Sequence, residues 1–153
     1  MQFYTKDIMS ADLITVKENT QIRDLIKIFV NNNISGVPVL DYEDKIKGVV
    51  SVADVLKQES SHSFYYSAEV KNYDLELLED ARFFDQPVSS IMSTDLYSCE
   101  TDATVAKAAK IMYENKIHRL LITEECKLAG IVTTFDLLKL LATSDESVVI
   151  EID

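Results

Sequence analysis

Gly48-Val49-Val50-Ser51-Val52-Ala53-Asp54 and Gly130-Ile131-Val132-Thr133-Thr134-Phe135-Asp136 are two copies of one signature: a glycine, two hydrophobic residues, a hydroxyl residue and, three positions on, an aspartate. A chain of 153 residues that writes one supersecondary unit twice is expected to fold as two sister halves, with a ligand cleft between them. The function is to be sought between the repeats.

The duplication extends outward from the signature. Asp7-Ile8-Met9-Ser10 aligns with Ser90-Ile91-Met92-Ser93 at an offset of 83 residues (Met9 onto Met92), which also carries Ile34 onto Ile117 and Val39 onto Ile122. One residue is then lost in a turn, and the offset becomes 82 (Gly48 onto Gly130).

Within each copy the hydrophobic period changes in the same order. A short extended piece (Leu13 to Val16; Leu96 to Cys99) leads to a cap-like residue, Asn19 or Asp102. A helical stripe follows: Ile22, Leu25, Ile26, Phe29 and Val30 in the first copy, and Val105, Ala108, Ala109, Met112 and Tyr113 in the second. Two β-type runs come next, Val37 to Leu40 and Ile46 to Val50, matched by Leu120 to Thr123 and Leu128 to Val132. A closing helix starts near Val52 or Thr134. Each unit reads β-α-β-β-α, an α+β class with helices on a small sheet.

Composition narrows the function. With 47% hydrophobic residues the chain can bury a core without staples. Two cysteines, Cys99 and Cys126, with no CxxC or Cys/His cluster, suggest neither disulfide nor zinc site and fit a reducing cytoplasm. Neither a signal peptide nor an apolar run of about 18 residues is visible, so a soluble protein is expected. Fifteen basic against 26 acidic residues give a formal charge of −11, which repels nucleic acid yet leaves room for a small anionic ligand at a local cluster of donors. Two histidines, His62 and His118, no Ser/His/Asp or Cys/His spacing and no Walker lysine predict no catalysis, no catalytic residues and no metal site. Cys99 reads as a buried strand residue.

Between the copies, Lys57 to Pro87 has no counterpart and carries Phe64, Tyr65, Tyr66, Tyr73, Phe83 and Phe84. It is too aromatic for a plain linker, so part of it must pack, either capping a hydrophobic face (the favoured reading) or forming a dimer or partner surface. Asp74 to Arg82 fits a short helix with Leu75 and Leu78 inward, and Pro87 marks the entry to the second unit.

The ordered set of motifs resembles a tandem CBS-domain pair, or Bateman module. It comprises the Ile-Met-Ser leader, Ile34-Ser35-Gly36-Val37-Pro38-Val39 with its counterpart Ile117-His118-Arg119-Leu120-Leu121-Ile122, and the two Gly-to-Asp endings. The resemblance implies a first repeat over 1–58, an insert over 59–87, a second repeat over 88–143 and a tail over 144–153. It further implies packing of the repeats about a pseudo-twofold axis with two clefts for adenosine compounds: AMP, ADP, ATP, S-adenosylmethionine or a cyclic dinucleotide. The implied role is regulatory, energy-sensing, cytoplasmic and commonly homodimeric, with no required cofactor and a signal passed to an effector protein. The competing class is a constitutive dimerisation or interaction module with empty clefts.

Ser51 and Thr133 stand where a strand passes into a helix, so free N–H groups, the helix dipole and the hydroxyl favour a phosphate. Asp54 and Asp136, acceptors only when ionised, suit two ribose hydroxyls. The same pattern is also a capping box that needs no ligand, and the two roles can coexist. Arg119 can grip a phosphate through two parallel donors, with His118 adding a third; the plainer alternative is a surface arginine at a strand start. Family geometry implies one cleft joining Ser51 and Asp54 to His118 and Arg119. The other would join Thr133 and Asp136 to Ser35, Gly36 and Thr15, an uncharged set suited to adenosine or a weakly held monophosphate. Leu121 replaces the proline found at Pro38.

Overall fold

A computed structural model of the chain describes residues 2–57 and 82–144. Its elements are α1 (Thr5–Ile8), β1 (Val16–Lys17), α2 (Ile22–Asn32), β2 (Gly36–Leu40), β3 (Ile46–Ser51), β4 (Ser98–Glu100), α3 (Val105–Asn115), β5 (Arg119–Glu124), β6 (Lys127–Thr133) and α4 (Thr134–Thr143), with a 3-10 turn at Val88–Ser90. Residues 52–57 and 82–85 are also helical. The helix expected over Asp74 to Arg82 lies, but for Arg82, outside the described residues, as do Phe64, Tyr65, Tyr66 and Tyr73.

Each repeat supplies a three-stranded sheet of the same topology. In β1-β2-β3 the first pair is parallel and the second antiparallel, and β4-β5-β6 repeats this. Both sheets carry a register shift at matched positions, Val39/Leu40 and Ile122/Thr123. The residue lost between copies falls in the hairpin just beyond that shift, since Leu40 pairs with Ile46 while Thr123 pairs with Leu128.

The helices bury the expected stripe, with two corrections. Ile22, Leu25 and Phe29 on α2 and Ala108 and Met112 on α3 are buried, whereas Val30 is 74% and Tyr113 86% exposed. Eight positions at about 100° each place these last residues about 80° round from the start of the stripe, beyond the core-facing arc. The caps are not Asn19 and Asp102 but Gln21, without a side-chain bond, and Thr104, whose hydroxyl accepts from Lys107 N–H at 3.2 Å. The N-cap must immediately precede the first helical residue to reach the free N–H groups, and Asn19 and Asp102 sit two residues too early.

Both helices stop alike. Asn33 (φ 50°) and Lys116 (φ 53°) are left-handed, and the next amides, Ile34 and Ile117, reach back to Phe29 O and Met112 O at 3.1 and 3.0 Å. This is a Schellman stop, sealed in the first copy by Ile34 packing in the cluster that contains Phe29. The second hairpin turns through Glu125 (φ 49°) and Cys126 (φ 64°), the conformation that Asn-Gly favours. In the longer first hairpin the Asp41 carboxylate accepts from Glu43 and Lys45 N–H at 2.8 and 3.0 Å. The Lys45 N–H, set against some desolvation and joined by the Glu43 N–H and the Lys47 and Lys45 charges, holds that carboxyl below its ordinary value.

The compact units are cut differently from the sequence repeats. One comprises Ile14–Asp95; the other joins Met1–Leu13 to Leu96–Asp153. Each Ile-Met-Ser leader therefore belongs with the sheet of the opposite copy. Ser93 and Val49 exchange main-chain bonds of 2.9 and 3.0 Å along β3, and Ser10 and Ile131 exchange bonds of 2.9 and 3.1 Å along β6. The signature glycines let the leaders in. A Cβ on Gly48 would lie 2.7 Å from both Met92 Sδ and Ser93 O, and one on Gly130 2.6 Å from Met9 Sδ and 3.0 Å from Ser10 O. Neither glycine has a positive φ, so close approach and not backbone freedom fixes the residue.

The first core gathers Ile22, Leu25, Phe29, Val39, Val50 and Val55 with Phe83 from the end of the insert and Val88 from just beyond it. Phe84 packs partly buried against it, so the end of the insert caps this hydrophobic cluster. The second core gathers Ala108, Met112, Leu120, Ile122, Val132 and Cys99, with Ile8 and Met9 of the leader against it. Cys99 is buried, and desolvation pushes its thiol pKa up. Among the described residues no helix is long and apolar enough to cross a membrane.

Gly48→Ala and Gly130→Ala are each expected to cost about 1–3 kcal/mol through overpacking against leader sulfur and carbonyl; urea denaturation returning wild-type midpoints would refute the close-approach account. Lys116→Gly, which removes a left-handed non-glycine residue, is expected to stabilise by about 1 kcal/mol in the same assay.

Candidate functional site

The two signature ends fold into near-identical capping boxes. Asp54 Oδ2 accepts from Ser51 N–H at 2.8 Å and from the Ser51 hydroxyl at 3.0 Å, while Ser51 Oγ lies 3.4 Å from Asp54 N. Asp136 Oδ2 accepts from Thr133 N–H at 2.8 Å and the Thr133 hydroxyl at 2.9 Å, and Thr133 Oγ1 accepts from Asp136 N–H at 3.2 Å. One oxygen of each carboxylate therefore holds the helix start. Among the described residues, Oδ1 of neither aspartate makes a hydrogen bond, so each carboxylate keeps an acceptor in hand.

This arrangement changes one expected role. An ionised carboxylate cannot donate, so the Ser51 and Thr133 hydroxyl protons point at the aspartates, not outward toward an anion. To serve a phosphate, either hydroxyl would first have to give up that bond.

Each box has a fixed neighbour in its own unit. Val52 N–H donates to Ser35 O at 2.9 Å and Gly36 pairs with Ser51, which sets the Ser35-Gly36 segment beside the first box. Thr134 N–H donates to His118 O at 3.1 Å and Arg119 pairs with Thr133, so the His118-Arg119 segment lies beside the second. The first neighbourhood is uncharged; the second has a guanidinium and an imidazole. Thr15, Ser35 and His118 are exposed, and Gly36 and Arg119 half-buried. Thr15 directly precedes β1. The unit with the basic pair also has an open groove of about 610 Å³ between α3 and α4, lined by Ala109, Met112, Tyr113, Thr134 and Leu137 together with His118.

Residue order offers no reason for Gly48 and Gly130 themselves; their only signal is the Met-Ser pair present in both leaders, which the fold alone connects to them. Among the described residues, no group of three or more His, Cys, Asp and Glu side chains could hold a metal ion.

Doubled sheets, doubled boxes and exchanged leaders define a tandem of one small α+β fold. The family model for the CBS domain matches residues 6–61 and 88–143, and the chain belongs to that family as a tandem CBS pair. The protein MJ1426 of Methanocaldococcus jannaschii is 32% identical over 89% of both chains. Several other relatives are longer, the chain spanning 34%, 22% and 38% of three of them. The crystal structure of the CBS-domain pair of MJ0100 with 5′-methylthioadenosine and S-adenosyl-L-methionine has 22% identity and a TM-score of 0.74, with 93% of this chain and 98% of that one covered. CBSX2 in complex with AMP has 23% identity and a TM-score of 0.71, with coverage of 92% and 96%.

Ser51→Ala and Thr133→Ala are each expected to lose about 1 kcal/mol of stability as helix caps, equally in the two copies. A loss confined to one copy, measured by denaturant unfolding, would contradict equivalent boxes.

Proposed function

We propose that this chain is a regulatory module that binds an adenosine-containing ligand, AMP, ADP, ATP or S-adenosylmethionine, and passes its state to an effector protein without catalysing a reaction. The observation that carries this reading is the division of labour within Asp54 and Asp136, where one oxygen caps the helix and the other stays open to a ribose hydroxyl. Capping and binding then coexist on one side chain. The helix start adds a positive dipole end, and Arg119 with His118 offers charge for a phosphate. The MJ0100 pair and CBSX2, each crystallised with adenosine compounds, support the ligand class.

The asymmetry of the repeats supports two unequal sites. A phosphate-bearing nucleotide depends on Arg119, whereas the uncharged Ser35-Gly36 and Thr15 set serves adenosine or a weakly held monophosphate. Binding shifts an equilibrium of the module only by the ligand's difference in affinity between its states.

A second reading, a constitutive dimerisation module, has its own support. Phe135 (74% exposed) and Leu138 (60%) lie one turn apart on α4, an apolar face suited to a homodimer.

Isothermal calorimetry with AMP, ADP, ATP, S-adenosylmethionine and cyclic di-AMP separates the readings. Saturable heat with at least one is expected. Arg119→Ala should weaken a phosphate-bearing ligand about 10- to 100-fold, the loss of a charge-assisted hydrogen bond, and Asp54→Ala or Asp136→Ala should weaken the ligand of one site each. No heat with any of the five leaves the dimerisation reading, and ATP turnover above that of an Asp54→Ala, Asp136→Ala double variant would overturn the non-catalytic one.

A further inference from the structure

The amino-terminal leader occupies a seat built for it by residues about 95 positions away in the chain. Val105 N–H donates to Phe3 O at 2.9 Å, Thr5 N–H to Ala103 O at 2.8 Å and Lys6 N–H to Thr101 O at 3.1 Å, before the two-bond bridge between Ser10 and Ile131. Thr5 has 0% exposure and its hydroxyl lies 2.7 Å from Glu100 O and 3.0 Å from Thr101 O, satisfying a buried polar group that no apolar residue could replace in kind. Met9 fills the space that Gly130 leaves.

The tether behind this seat is of opposite character. Residues 11–13 make no hydrogen bond among the described residues, Ala11 and Asp12 are exposed, and the boundary between the compact units falls at Leu13. A specific seat reached through an unfastened hinge is the arrangement from which segments exchange between copies, because the closed and exchanged forms make the same contacts and differ only at the hinge.

We propose that the leader seat is an intermolecular binding site that takes residues 3–10 of a second copy of this chain. The balance between own and foreign leader is then set by chain concentration against the effective concentration that the short hinge provides, about 1 mM or above. Shortening the hinge tips it toward exchange.

The test uses full chains in a Cys126→Ser background, which leaves only the buried Cys99. Ser10→Cys and Ile131→Cys chains are unfolded together in urea, refolded near about 1 mM and oxidised. Because these positions face each other as bridge partners, a disulfide-linked heterodimer reports a leader seated in another chain. The expected yield is several-fold above that of a Ser10→Cys chain mixed with Lys139→Cys, and higher again when Ala11 and Asp12 are deleted from both chains. A yield at the control level overturns the proposal, and if the shortened chains fail to fold the full-length pair decides alone. The read-out is independent of nucleotide binding.

Discussion

The contact on which the rest of the fold depends is the passage of a methionine over a glycine, made twice. Met92 over Gly48 and Met9 over Gly130 bring a leader segment to the outer edge of β3 and β6, where its main chain makes a two-bond bridge. Any side chain at either glycine would push out a sulfur and a carbonyl, and with them the edge pairing. Because the leader comes each time from the other sequence repeat, neither repeat as written supplies the segment that bridges its own sheet edge. The compact unit and the repeated sentence are different objects.

That contact also lies next to the chemistry. Gly48 begins the run that ends in the Ser51 and Asp54 box three residues further on, and Gly130 does the same for Thr133 and Asp136. The strand that the leader fastens is the strand whose end aims the carboxylate. The glycine contact and the cap thus share one strand, and the cap sets which carboxylate oxygen is occupied.

Much of this architecture was legible from residue order. Period and spacing gave the β-α-β-β-α repeat, the buried strand role of Cys99 and the lost residue in the hairpin, because local patterns record local burial. The errors came where burial ends. Val30 and Tyr113 continue the helical spacing but lie past the arc that faces the sheet, and Gln21, with no capping side chain, stands where a capping residue was sought two positions earlier. What single positions could not reveal is exchange. Nothing in Asp7-Ile8-Met9-Ser10 says which sheet it joins, since that depends on contacts 121 residues away between Ser10 and Ile131. The capping box was readable as a motif, yet the direction of its hydroxyl proton followed only from the 2.9–3.0 Å geometry.

The register shift shared by both sheets has a consequence for how such a chain tolerates change. At Val39/Leu40 and at Ile122/Thr123 the ladder slips before the hairpin begins, so a residue added or removed at the tip is absorbed there and never reaches the strand ends that carry the carboxylates. The tips are mechanically decoupled from the business end of each sheet. They are the natural ports for lengthening the protein, by drift or by an engineered graft.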